Sequence, residues 1–116
     1  MYQIQQITND ALQRQTLILP DGSLVPITIY FMPLQQMWVI QELVYDELTI
    51  RSVSITNNAN ILYQFKNQIP FGLLCASKST REPSLIDDFS SGYSSLYLLT
   101  EEEVTAYSEA LSAREV

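Results

Sequence analysis

The sequence contains no histidine, one cysteine (Cys75) and only three glycines, and no apolar run approaches the roughly 18 residues that a membrane-spanning helix requires. Each absence removes a class of function. Without histidine the chain has no side chain that ordinarily titrates near neutral pH, and the commonest general acid–base group and metal ligand are missing with it. One cysteine permits no disulfide within the chain, so nothing points to an oxidising compartment. Cys75 stands in the run Leu73-Leu74-Cys75-Ala76 and reads as a small buried hydrophobe, because a reactive thiol needs an accessible, electropositive setting. Basic residues are also scarce: 6 Lys and Arg against 13 Asp and Glu give a formal net charge of -7. That sign repels phosphate backbones and excludes the basic stripe of a nucleic-acid reader. The opening residues, Met1-Tyr2-Gln3-Ile4-Gln5-Gln6, carry neither the basic nor the apolar part of a secretory signal, so the expectation is a protein that stays where it is made.

What is present is a globular composition, 47% hydrophobic and 16% charged, in 116 residues that are expected to form a single domain, 1–116. Residues 15–31 organise the chain. The run Thr16-Leu17-Ile18-Leu19, the segment Pro20-Asp21-Gly22-Ser23 and a second run over 24–31 predict a β-hairpin, since the glycine of Asp21-Gly22 reaches the positive φ of a tight turn. Alternation places Val25, Ile27, Ile29 and Phe31 on the core face and Leu24, Pro26, Thr28 and Tyr30 on the other. Pro26 cannot donate to a ladder, which predicts an edge or a bulge there.

Before the hairpin, residues 2–8 alternate like an edge strand and 9–12 like a turn. After it, 37–44 is a third strand in which Trp38 and Ile40 are in phase; a buried Trp38 needs a partner for its indole N–H. Residues 45–47 turn the chain into a fourth strand over 48–56. There Val53 and Ile55 share a face but Ile50 is out of phase, so either a bulge separates them or Ile50 faces a second surface. Asn57-Asn58 offers capping chemistry for a short helix near 59–66, where Ile61, Leu62 and Phe65 recur at helical spacing. Pro70 ends it, and 71–77 is a fifth, central strand. Residues 78–94 are rich in Ser, Thr, Asp, Gly and Pro and read as a long surface loop. A sixth strand over 95–99 leads into Thr100-Glu101-Glu102-Glu103, a capping box opening a helix to about residue 113 with Val104, Tyr107 and Leu111 on one stripe. The predicted fold is mainly β: a small antiparallel barrel or sandwich of about six strands, with a short helix near 59–66 and a C-terminal helix.

No motif in this frame calls for catalysis, a metal or a cofactor. The adjacent carboxylates Asp87 and Asp88 lack the spaced oxygen ligands of a calcium loop and read as part of a solvated loop. Glu101 to Glu103 are explained by capping and by the positive end of the helix dipole. Seven tyrosines suit protein interfaces, although tyrosine also favours strands. Residue chemistry therefore indicates a small acidic β-rich domain that binds other proteins.

The stretch Ser52-Val53-Ser54-Ile55-Thr56-Asn57-Asn58-Ala59-Asn60-Ile61-Leu62-Tyr63-Gln64-Phe65, followed by Phe71-Gly72-Leu73-Leu74-Cys75-Ala76, resembles the small baseplate plug family of contractile-tailed phages, best known from a cyanophage. Trp38, Ile61-Leu62, Gly72-Leu73 and Leu96-Tyr97 fit that family's order of elements, and the resemblance runs nearly end to end. It implies a structural virion protein, present in multiple copies in the tail baseplate and assembled in the host cytoplasm. Such a protein closes or lines the central channel among hub, tube and spike proteins, without enzyme activity or cofactor. The contact positions expected on elimination and composition are Asp21 and Gly22 at the hairpin tip and Ile86, Asp87, Asp88, Phe89 and Tyr93 in the long loop. Asp87 and Asp88 are also expected to repel DNA passing a channel-facing surface. The alternative is a soluble β-barrel interaction module that is not part of a virion; an enzyme is the third reading.

Overall fold

Alternation builds the larger of two antiparallel sheets. In the computed structural model, which describes residues 2–5, 7–65 and 67–106, strands β2 (Leu12–Ile18), β3 (Leu24–Met32), β4 (Met37–Tyr45) and β5 (Leu48–Ser54) pair in sequence order. The smaller sheet has the order β1-β7-β6, from β1 (Tyr2–Gln3), β6 (Gly72–Ser77) and β7 (Ser94–Leu99). Seven strands lie among the described residues, where about six were expected, and the mainly β, antiparallel reading holds.

The hairpin forms as its alternation requires: Val25, Ile27 and Ile29 are buried, and β2 pairs with β3 from Leu12↔Tyr30 to Ile18↔Leu24. Its loop is wider than a two-residue turn. The Leu19 N–H donates to the Ser23 carbonyl (2.9 Å) and the Gly22 N–H to the Leu19 carbonyl (2.9 Å), with Gly22 at φ 90°. Pro26 departs from expectation, because β3 is an inner strand. The β3–β4 ladder begins only at Ile27↔Leu43, so the missing N–H interrupts no pair.

The phase break at Ile50 has its origin in the neighbouring strand. The β3–β4 register shifts between Thr28 and Ile29, so that Gln41 is the extra residue between Ile40, opposite Ile29, and Glu42, opposite Thr28. This bulge turns both Ile40 and Leu43 into the core although they are three apart. On β5, Val53 opposes Ile40 and Ile50 opposes Leu43, and the intervening Ser52 takes φ 60°. The left-handed residue lets β5 follow the bulge, and Ile50 and Ile55 are both buried.

One hydrophobic cluster joins the sheets, drawing on Val25, Ile29, Trp38 and Leu43 from the larger and Leu73, Cys75, Leu96 and Leu98 from the smaller. Residues 55–61 tie them at one side. The Ile55 N–H donates to the Trp38 carbonyl (2.9 Å), Asn58 and Cys75 exchange backbone hydrogen bonds (3.0 and 3.1 Å), and the Ile61 N–H reaches the Leu73 carbonyl (2.7 Å). Accordingly β6, expected at the centre of its sheet, is an outer strand whose free side is covered by this crossing; the central strand is β7.

The short helix expected near 59–66 is narrower, a single 3-10 turn over Tyr63–Phe65. Its cap is Asn60, not Asn57 or Asn58: the buried Asn60 Oδ1 accepts from the N–H groups of Leu62 (3.0 Å) and Leu73 (3.2 Å). Only glycine fits beside it, since a Cβ on Gly72 falls 2.7 Å from that oxygen. The capping box at Thr100 is formed, with the Glu103 N–H donating to Thr100 Oγ1 (3.3 Å) and the Thr100 N–H to Glu103 Oε1 (3.1 Å). Helix α1 begins at Glu101, covers the last described residues, 101–106, and buries Val104; Tyr107 and Leu111 lie outside the described residues.

Candidate functional site

The segment between β6 and β7, read from composition as a solvated loop, turns Pro83, Asp88 and Phe89 inwards. Trp38 is fully buried and its indole N–H donates to the Leu85 carbonyl (3.1 Å). Phe89 meets the same ring edge-on at 5.6 Å, and Phe31 packs on it at 5.5 Å. The loop thus supplies both the polar partner and part of the apolar wall that a buried tryptophan needs.

Asp88 fixes the loop's shape. Its side chain is 3% exposed, yet Arg81 Nη1 donates to Oδ2 (2.9 Å), Arg81 Nη2 to Oδ1 (3.1 Å), and the N–H groups of Ser84 (2.8 Å) and Leu85 (2.9 Å) both donate to Oδ2. Burial alone raises the Asp88 carboxyl, but the Arg81 guanidinium and these backbone donors outweigh it and hold the group below the ordinary carboxylate range. Arg81 also lies over the Tyr93 ring at 4.0 Å, and the Tyr93 hydroxyl donates to the Arg81 carbonyl (3.0 Å). Asn57 binds the loop to the crossing: its N–H donates to Glu82 Oε2, its Nδ2 to the Arg81 carbonyl (3.2 Å), and its Oδ1 accepts from Ser77 Oγ (2.8 Å).

Of the positions singled out from sequence, Asp88 and Phe89 are therefore interior groups, and the solvated-loop reading fails for them because their partners are within the chain. Asp88, neutralised by Arg81, does not present a free negative charge to DNA. Tyr93 is half-buried, while Ile86 and Asp87 are exposed on the outside of the loop beside Leu85, which is 49% exposed. Asp21 and Gly22 are exposed at the far end of β3; Phe31, the partner of Trp38, lies about 23 Å away by strand rise. The tip and the loop are two surfaces, not one. Pro83, fully buried, and Leu85 escaped the sequence reading, although Pro83, Leu85 and Phe89 are an apolar spacing that a purely solvated loop does not need.

Cys75 is 2% exposed, and burial, reinforced by the Glu82 charge, pushes its thiol up to about 12. Among the described residues no three Cys, Asp or Glu side chains converge to hold a metal ion, and no helix is long and apolar enough to cross a membrane. Compared with known proteins, the chain matches no protein-family model and no curated protein.

Proposed function

We propose that the protein is a structural component of a contractile phage tail baseplate, closing or lining the central channel among hub, tube and spike proteins. The observation that carries this reading is the position of the residues on which the resemblance rests: Trp38, Ile61, Leu62, Leu73 and Leu96 are all buried in the one cluster that joins the two sheets. A resemblance in such positions concerns how the fold is assembled, which is what a small scaffold protein has to preserve. The contact surface belonging to this reading is the loop exterior at Leu85, Ile86 and Asp87, held rigid by Asp88, together with the hairpin tip at Asp21 and Gly22. A rigid loop suits assembly because little conformational entropy remains to be lost on docking.

The test is a tail-incorporation assay. Mass spectrometry of purified tails finds the wild-type protein cross-linked to hub, tube or spike subunits, and Ile86→Asp lowers its incorporation while leaving the thermal midpoint of the isolated protein unchanged. Complete tails without the protein would overturn the baseplate reading and favour an interaction module outside virions.

A further inference from the structure

We infer that the outer edge of β2 is a self-association site, on which a second copy of this chain adds its own β2 antiparallel about a two-fold axis at Gln15, giving one continuous sheet across both copies. This does not depend on the baseplate reading.

The edges of the two sheets are treated differently. The free side of β6 is covered by the crossing at Asn58 and Ile61, β5 is interrupted by the left-handed Ser52, and β1 has only two residues. Among the described residues β2 lacks these protections on its backbone: Thr8 and Asp10 lie against it but bond the Gln13 side chain, not the strand's outward groups. It runs for seven residues in continuous register, without proline or bulge, at the end of its sheet. Its one charged side chain, Arg14, is turned back over the sheet, where Nε donates to Thr28 Oγ1 (3.1 Å).

The flanking bonds show which groups are unpaired. The Phe31 N–H donates to the Ala11 carbonyl and the Leu19 N–H to the Ser23 carbonyl, so the odd-numbered residues of β2 bond to β3. The N–H and C=O groups of Leu12, Arg14, Thr16 and Ile18 therefore point outwards. The same four side chains stand on the outer face, with Leu12 and Ile18 63% and 67% exposed.

Symmetry then selects the register, because in a two-fold contact each residue meets the partner that meets it. Centred on Gln15, Leu12 opposes Ile18 of the second copy and Arg14 opposes Thr16, so every outward backbone group is paired and the two most exposed aliphatic side chains cover one another. Centring on Arg14 sets two guanidinium groups opposite, and centring on Thr16 leaves Leu12 without a neighbour. A second copy is the occupant that this sequence complements.

Sedimentation equilibrium on the whole chain, with variants at residues 15 and 16, tests the inference. The expected result is a concentration-dependent dimer that Thr16→Pro abolishes; its circular dichroism stays that of wild type, since the Thr16 N–H serves no bond within the chain. Thr16→Lys, set against Arg14 of the second copy, weakens the dimer by about fivefold and Thr16→Glu tightens it by a similar factor. Gln15→Cys forms an interchain disulfide under mild oxidation faster than Arg14→Cys or Thr16→Cys, because a non-hydrogen-bonded pair brings two Cβ atoms within disulfide reach. A protein monomeric at all concentrations, a dimer indifferent to both Thr16→Pro and Thr16→Lys, or faster cross-linking at residue 14 or 16 overturns the inference; a β2 edge reserved for a different protein gives the first of these.

Discussion

Asp88 receives four donors on one carboxylate, and its sequence neighbourhood, Ile86-Asp87-Asp88-Phe89, gives no sign of it. The partners come from Arg81, Ser84 and Leu85, and only the fold of the loop brings them together. Because the folded state holds this group below its ordinary value, its stabilisation is fully present above the unfolded pKa, about 3.9, and is lost as pH falls through the lower folded value. Asp88→Asn is expected to be less stable than wild type at pH 7 and to lose less on acidification below about pH 4. Denaturant midpoints measured across that range check it; equal acid losses in both proteins would place the titrating group elsewhere. Asp88→Ala, which also orphans the Ser84 and Leu85 N–H groups, is expected to cost about 2–3 kcal/mol. Cys75, by contrast, was legible from its apolar neighbours alone. With its thiol pushed up to about 12 by burial, it should react with a thiol reagent only when denaturant opens the core; rapid stoichiometric labelling of the native protein contradicts the burial.

Among the elements, strands with clean alternation were legible and those whose phase is set by a neighbour were not. β3 could be read face by face because Val25, Ile27 and Ile29 turn inwards and Leu24 and Pro26 outwards; Thr28, on the outer face, is nonetheless buried, with Arg14 Nε donating to its Oγ1. In β5 the sequence showed the phase break at Ile50 but not its cause, which is the extra residue Gln41 in β4. This has a counterintuitive consequence. Ser52→Val introduces a better strand former, yet is expected to destabilise by about 1–2 kcal/mol, because a β-branched residue resists the left-handed conformation at φ 60°. Thermal unfolding measures the sign, and a stabilised variant shows that β5 can straighten. Helix α1 was legible at its start, where the capping box is purely local. Thr100→Ala should cost about 1 kcal/mol, read as a lowered denaturation midpoint.

For the whole molecule, the number of strands came close from sequence but their partition did not. Which strands share a sheet depends on long-range pairing, and the assignment of β6 as central failed because its apolar composition reflects cover by the crossing at 55–61, not a second strand neighbour. The candidate site was legible as a region, residues 78–94, but not in its polarity. Composition could not distinguish the side chains the loop turns inwards from those it offers to solvent. Since the crossing bonds to both sheets, the amides of Ile55, Asn58 and Ile61 are expected to exchange with solvent as slowly as those of β4, through global rather than local opening. Fast exchange there, with β4 protected, identifies the two sheets as separable units.

The contact between Trp38 and the loop also has an optical consequence. Trp38 is the chain's only tryptophan, and its indole touches Phe89 and the Leu85 carbonyl. Fluorescence excited selectively at that ring therefore reports from the seam between the larger sheet and the loop, without any introduced label. A dry, ring-lined surround gives blue-shifted emission, and admission of water when the loop lifts moves it to the red. If undocking of residues 81–89 precedes global unfolding, the emission wavelength should change at lower denaturant than the far-ultraviolet signal of the strands, and the midpoint and slope of that earlier transition give the free energy that holds the loop on the sheet.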